Sequence, residues 1–139
     1  MLEFIPFCQT RTVADALRVV RAADQPNAGI LVDALHVVRS GASVDDLRNL
    51  DPAMLDYWQL CDAALDRPAD GDLRTEARAR RFYPGEGQLP LASMLAAMPR
   101  DSAISVEAPC QQYAELSWEQ RGRLCGEATR GILGTEPRA

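Results

Sequence analysis

No stretch of this chain approaches the ~20 consecutive apolar residues of a membrane-spanning helix, so no span is expected. No basic segment precedes the first apolar residues either. Met1 leads straight into Leu2, Glu3 and Phe4, which is not the pattern of a secretory signal. Lysine is missing altogether and every cation is an arginine, a bias we read as codon usage rather than mechanism. Positive charge is in deficit, with a formal net charge of −5. A protein that coats nucleic acid needs a basic face, so that class is excluded. Cys8, Cys61, Cys110 and Cys125 are widely spaced without a C-x-x-C pair. That argues against a zinc knuckle and fits the reduced thiols of a cytoplasmic protein. What is present is a chain of 139 residues, the usual size of one domain with a real core, here taken as residues 1–139.

The most informative stretch runs from Gly29 to Gly41. Ile30, Leu31 and Val32 are consecutive apolar residues, as in a strand buried on both faces of a helix-covered parallel sheet. Asp33 ends the run, which puts a carboxylate at the C-terminal rim, where α/β proteins place their chemistry. His36, the single histidine, follows within the first turn and can reach the same space. The plainer reading makes Asp33 the cap of the next helix and His36 a surface residue.

Around this stretch the chain alternates. Residues 1–7 have strand composition, stopped by Pro6. Thr12 is a credible N-cap for a helix over 13–23 with Val13, Ala16, Leu17 and Val20 on one face. Residues 34–39 read as a helix closed by Gly41, followed by a short turn over 44–50 capped by Ser43 and another turn at Asp51 and Pro52. A third strand is expected over 55–61, ending on Asp62. Residues 63–87, rich in arginine and acid, read as a long functional or irregular loop. A short helix over 91–98 and a fourth strand over 103–107, ending on Glu107, come next. Ser117 with Gln120 forms a capping box for a final helix over 118–133, which Gly134 closes. The order β-α-β-α-β-loop-α-β-α signals a parallel sheet.

Strand ends therefore carry Glu3, Asp33, Gln59 with Asp62, and Glu107. Carboxylates and an amide oxygen converging on one rim would make a hard-oxygen site for a divalent metal such as Mn²⁺ or Mg²⁺. Without a cation, such a cluster would raise its own pKa values. The competing reading is that each acid caps a helix or faces solvent. Trp58 and Trp118 read as packing residues, and Cys61 and Cys125 as small buried apolar side chains.

Five segments occur in a meaningful order: Leu2-Glu-Phe-Ile-Pro6, Val32-Asp-Ala-Leu-His36, Trp58-Gln-Leu-Cys-Asp62, Pro84-Gly-Glu-Gly87 and Ser105-Val-Glu107. In this the chain resembles the sugar phosphate isomerase/epimerase family, which has a xylose isomerase-like TIM barrel. The resemblance covers the whole chain but only the C-terminal half of the barrel, strands five to eight. It implies that Glu3 and Glu107 bind the metal and exchange a proton with the substrate carbon. It also implies that Asp33 is a metal ligand, that His36 contacts a substrate oxygen and that Arg81 holds the substrate's oxygens. Gln59 stands where many members place a metal-binding histidine, and an amide oxygen is the weaker ligand, so a weak site is expected.

Moving a proton between adjacent carbons of a sugar-type hydroxy-carbonyl compound suits such a site. A dehydratase of the same superfamily would use the same parts, while one histidine is too few for an endonuclease-like use. A full barrel of this class needs about 250 residues and eight strands. Half of one leaves open edges, so the isolated chain is expected to be inactive. It is also expected to associate with itself or with a complementary half. The second functional class is a non-catalytic half-barrel subunit or remnant.

Overall fold

The computed structural model describes residues 1–55 and 57–134. Among them a parallel sheet is built from β1 (Leu2–Glu3), β2 (Ile30–Asp33), β3 (Tyr57–Leu60) and β4 (Ala103–Val106), in that spatial order. Six α-helices alternate with these strands: α1 (Val13–Ala23), α2 (Ala34–Ser40), α3 (Val44–Arg48), α4 (Leu73–Ala79), α5 (Leu91–Leu95) and α6 (Trp118–Leu133). Single 3-10 turns occur at Pro52–Met54 and Gln111–Tyr113. The expected third strand is shorter than 55–61, and Asp56 within it lies outside the described residues, as do residues 135–139 of the expected domain.

Local chemistry explains where the helices begin. Thr12 accepts from the Asp15 N–H while the Asp15 carboxylate receives the Thr12 N–H, a complete capping box. The same reciprocal pattern joins Ser117 and Gln120 at the start of α6. Asp33 caps α2 by accepting from the His36 N–H at 3.0 Å, so the plain reading of Asp33 is correct as far as it goes. Gly41, at φ 79°, closes α2 in the left-handed region that a β-carbon disfavours.

Strand register divides the sheet's residues between two faces. Ile30 and Val32 of β2 lie with Trp58 and Leu60 of β3, and all four are fully buried, on the face that α1 and α2 cover. The other face carries Glu3, Leu31, Asp33, Tyr57, Gln59 and Ser105. The apolar layer of Ile30, Val32, Trp58 and Leu60 is therefore covered rather than open to water. The helices pack on precisely those side chains' face, and the face left for the site is the mixed, polar one. At about 25 cal/mol per Å² of apolar area, covering the Trp58 layer is a main source of stability.

Two further corrections follow from packing. Residues 63–87 are not all loop, because α4 forms within them, capped by Asp72 through the Thr75 N–H. Trp118 is not a packing residue: it is 82% exposed, with the Arg121 guanidinium 3.9 Å above its ring. Ile104, on the helix side of edge strand β4, is 40% exposed, and α6 buries none of its residues.

Candidate functional site

Parallel pairing puts Glu3 at the end of β1, Asp33 at the end of β2, Gln59 late in β3 and Glu107 immediately after β4, all on one rim. Asp33 and Gln59 are register partners, as are Gln59 and Ser105, so these side chains stand side by side on the sheet's polar face. The turn of α2 capped by Asp33 then carries His36 back over the rim. Glu3, Asp33 and His36 each bring one ligand-capable atom within 4.8 Å of the others. His36 Nε2 lies 3.6 Å from Glu3 Oε1. The Phe7 ring meets the imidazole edge-on at 5.9 Å, and Arg74 lies over Phe7 at 5.2 Å, closing that side.

Arg81 is a buried cation that the protein itself already engages. It is 2% exposed. Its Nη1 donates to Asp33 Oδ2 at 2.5 Å and to the Glu107 carbonyl at 2.8 Å, and its Nε donates to the Ala77 carbonyl at 2.8 Å. Glu107 Oε2 stands 3.8 Å from Nη2, at the ragged end of the same cation, with its side chain 45% exposed. The expected convergence is thus tighter on the β1–β2 side. Glu107 is joined to the group through Arg81 and is not one of the residues clustered with Glu3, Asp33 and His36.

The electrostatics follow from this crowding. Burial, then the negative charges of Asp33 and Glu107, push the Glu3 carboxyl up to about 7, against the pull of Arg81. Burial also lowers the His36 pKa, helped by Arg81 and opposed by Asp33 and Glu76. Burial thus works against charge on both the imidazole and the carboxyl that faces it. Arg81 is held more firmly charged than usual: burial opposes its charge, but Asp33 and Glu107 outweigh it. Cys61, buried 3.4 Å from Arg81 Nη1, has its thiol pushed up to about 12, mainly by burial, and is an inert packing group.

The donor set suits a divalent cation. Beside the Glu3, Asp33 and His36 cluster, Gln59 Oε1 is buried and has no hydrogen-bond partner among the described residues. A buried amide oxygen without a donor is costly, and a cation would satisfy it.

Supporting residues escaped the sequence reading. Arg39 and Glu76 form a buried pair, with Nε–Oε2 at 2.8 Å and Nη2–Oε1 at 2.6 Å, that ties α2 to α4. Asp62, expected as one of the strand-end acids, is instead a loop organiser. It accepts from the N–H groups of Ala63, Gly85 and Leu89 at 2.8, 3.0 and 2.9 Å. A β-carbon on Gly87 would lie 2.4 Å from Asp62 Oδ1 and from the Ala63 carbonyl, so only glycine fits there. The spacing of Asp62 from Gly85 and Gly87 was visible in the sequence, but nothing tied them together.

The model of the family described as xylose isomerase-like TIM barrel matches residues 1–126. The chain belongs to that family. Among its relatives is the inosose isomerase of Bacillus licheniformis, 29% identical over 137 residues that make up 95% of this chain and 48% of the relative. The inosose isomerase of Halalkalibacterium halodurans is 30% identical over 95% of this chain and 47% of its own length. Among solved structures, the IOLI protein with a bound zinc atom superposes with a TM-score of 0.82 at 25% identity, covering 96% of this chain and 48% of that one. A xylose isomerase domain protein from Alicyclobacillus acidocaldarius gives 0.75 at 26% identity, covering 96% and 50%. The chain thus spans about half the length of the relatives it matches. Among the described residues, no helix is long and apolar enough to cross a membrane.

Proposed function

We propose that this chain supplies the proton-transfer edge of a sugar or polyol isomerase or epimerase barrel, acting on a hydroxy-carbonyl substrate with a divalent cation. One observation carries the reading: Glu3, Asp33 and His36 gather within 4.8 Å on one rim of a parallel sheet. The family membership and the inosose isomerases among the relatives support it.

Isomerisation needs a base beside the carbon that loses its proton and positive charge beside the developing enediolate oxygens. Glu3, with its pKa near 7, is poised to take or return a proton at neutral pH. Glu107, more open to solvent and steered by Arg81, is the second proton carrier. His36, held neutral by burial, can hydrogen-bond a substrate oxygen through Nε2. Arg81, fixed by Asp33 and two carbonyls, offers its remaining N–H groups to the substrate's oxygens. Glu3, Asp33, Gln59 and Glu107 would hold the cation, and their oxygen donors suit Mn²⁺ or Mg²⁺. When bound, the cation supplies Lewis-acid stabilisation of negative charge on substrate oxygens.

In this reading the chain corresponds to strands five to eight of the barrel. The order of its motifs supports this, and coverage of about half of these relatives fits half a barrel. β1 and β4 are the sheet's edges among the described residues. A complementary half or a second copy would close them, and the isolated chain has little activity without one. The test is a fusion of the N-terminal half of an inosose isomerase relative to this chain, incubated with inosose and Mn²⁺ in D₂O. NMR should show deuterium entering beside the carbonyl, about 10²-fold slower or worse in Glu3→Gln. The isolated chain should exchange little. A folded fusion that incorporates no deuterium, or whose exchange survives Glu3→Gln, contradicts the reading.

A further inference from the structure

Arg81 lies where the fold gathers negative charge, and it has already engaged the carboxylate a metal would need. Asp33 Oδ2 accepts from Arg81 Nη1 at 2.5 Å, while Asp33 Oδ1 accepts from the His36 N–H at 3.0 Å. Both oxygens of Asp33 therefore have donors before any metal arrives. Arginine does not give up its charge under any ordinary condition, and here it is buried and pinned by the Ala77 and Glu107 carbonyls. Any divalent ion entering the Glu3, Asp33 and His36 cluster must share Asp33 with this fixed cation. It must either displace Arg81 from Oδ2 or bind beside a like charge.

We propose that Arg81 is the resident cation of the carboxylate centre: it neutralises Asp33 when no metal is bound and competes with a divalent metal for that carboxylate. This rests on the metal-site reading above and adds a regulator to it. It explains how a fully buried Asp33 is tolerated without a metal ion, since a buried carboxylate needs a paired cation. It also adds a cause of weak metal binding separate from the amide at position 59. Metal binding would loosen the hold on Arg81 and turn its guanidinium toward the site.

The test is calorimetric titration of the full chain with MnCl₂ in the wild type, Arg81→Met and Arg80→Met. Arg80 is the matched control, because its guanidinium pairs with Asp70 at the surface, 2.8 Å away. Arg81→Met should bind Mn²⁺ at least tenfold more tightly than the wild type, and Arg80→Met within twofold of it. Mn²⁺ should also raise the Tm of Arg81→Met more than that of the wild type. Should Arg81→Met fail to fold with or without Mn²⁺, NMR of the wild type decides. Saturating Mg²⁺ should shift the Arg81 Nε–H resonance and leave that of Arg39 unmoved. Equal affinity in a folded Arg81→Met, or an Arg81 resonance indifferent to bound Mg²⁺, overturns the proposal and leaves the metal site standing. No Mn²⁺ or Mg²⁺ binding by any of these proteins overturns the metal site and the proposal with it.

Discussion

Two arginine–carboxylate pairs lie buried among the described residues, and they differ in what is left over. Arg39 and Glu76 meet fork to fork, through 2.8 and 2.6 Å contacts, and the remaining Arg39 donors reach the Leu65 and Ala64 carbonyls at 2.9 and 2.7 Å. The two charges in that group are matched and four of the five Arg39 N–H groups have acceptors, and the group serves to fasten α4 and the 63–67 segment onto α2. Arg81 and Asp33 are buried as deeply, but Arg81 touches Asp33 through a single nitrogen. Glu3 and Glu107 stand near it with their own negative charge, and Gln59 Oε1 has no donor. A closed pair is structure. A pair with surplus acceptors around it is a site that awaits a cation or a substrate.

That contrast can be broken by substitution. Removing one partner of a buried pair costs about 3–5 kcal/mol, since a charge is left uncompensated. Both Arg39→Met and Arg81→Met should lose about this much in urea unfolding with chelator present. Added Mn²⁺ should restore much of the loss in Arg81→Met and none in Arg39→Met. Equal behaviour of the two variants would erase the distinction between them.

The surplus on the Arg81 side can also be sharpened. Gln59→His replaces the unpartnered amide with a stronger ligand and should tighten Mn²⁺ binding about tenfold, equivalent to about 1.4 kcal/mol. Calorimetry showing no change would remove Gln59 from the donor set.

A smaller effect lies in the pH dependence of stability without metal. The Glu3 carboxyl sits at about 7 in the fold against an ordinary 4.5. Its contribution is full below the ordinary value and is lost as pH rises through about 7. His36 is shifted down from 6.5, so its contribution is full above 6.5 and is lost as pH falls through the folded value. The two oppose each other in the weakly acidic range. His36→Gln should leave stability falling with rising pH between about 4.5 and 7. Glu3→Gln should leave it rising toward 6.5. Urea midpoints across this range in chelator read both slopes, and parallel profiles in the two variants would contradict the assignment. The smallest effect belongs far from either pair. Thr12→Ala removes the α1 cap at a cost of about 1 kcal/mol and should leave Mn²⁺ affinity unchanged in the same titration.

Much of the fold was legible because its boundaries are chemical. Capping boxes at Thr12 and Ser117, and Gly41 and Gly134 in the left-handed region, mark helices whose limits need no tertiary information. α4 was hidden because its buried residues are Glu76 and Ala77, which form no apolar stripe. Glu76 is inside only because Arg39 waits 37 residues away. The rim was legible as alternating strand ends, and His36 as a neighbour of Asp33. The role of Arg81 was not, because Arg80 and Arg81 are adjacent and identical, and only the fold turns one toward Asp70 and the other toward Asp33. Glu107 read as an equal member of the cluster, but its place after edge strand β4 leaves it half open and tied in through Arg81.

Titration with Mn²⁺, followed by the paramagnetic resonance signal of the free ion, tests the carboxylate centre around Asp33 most directly. The wild type should hold one ion, weakly, and Glu3→Gln, Asp33→Asn and Glu107→Gln should each weaken it at least tenfold. Asp33→Asn is the most telling of the three, since an asparagine oxygen can keep the cap on α2 while the charge and the oxygen that faces Arg81 are lost. Binding that is indifferent to all three substitutions would show that these residues do not form a metal centre.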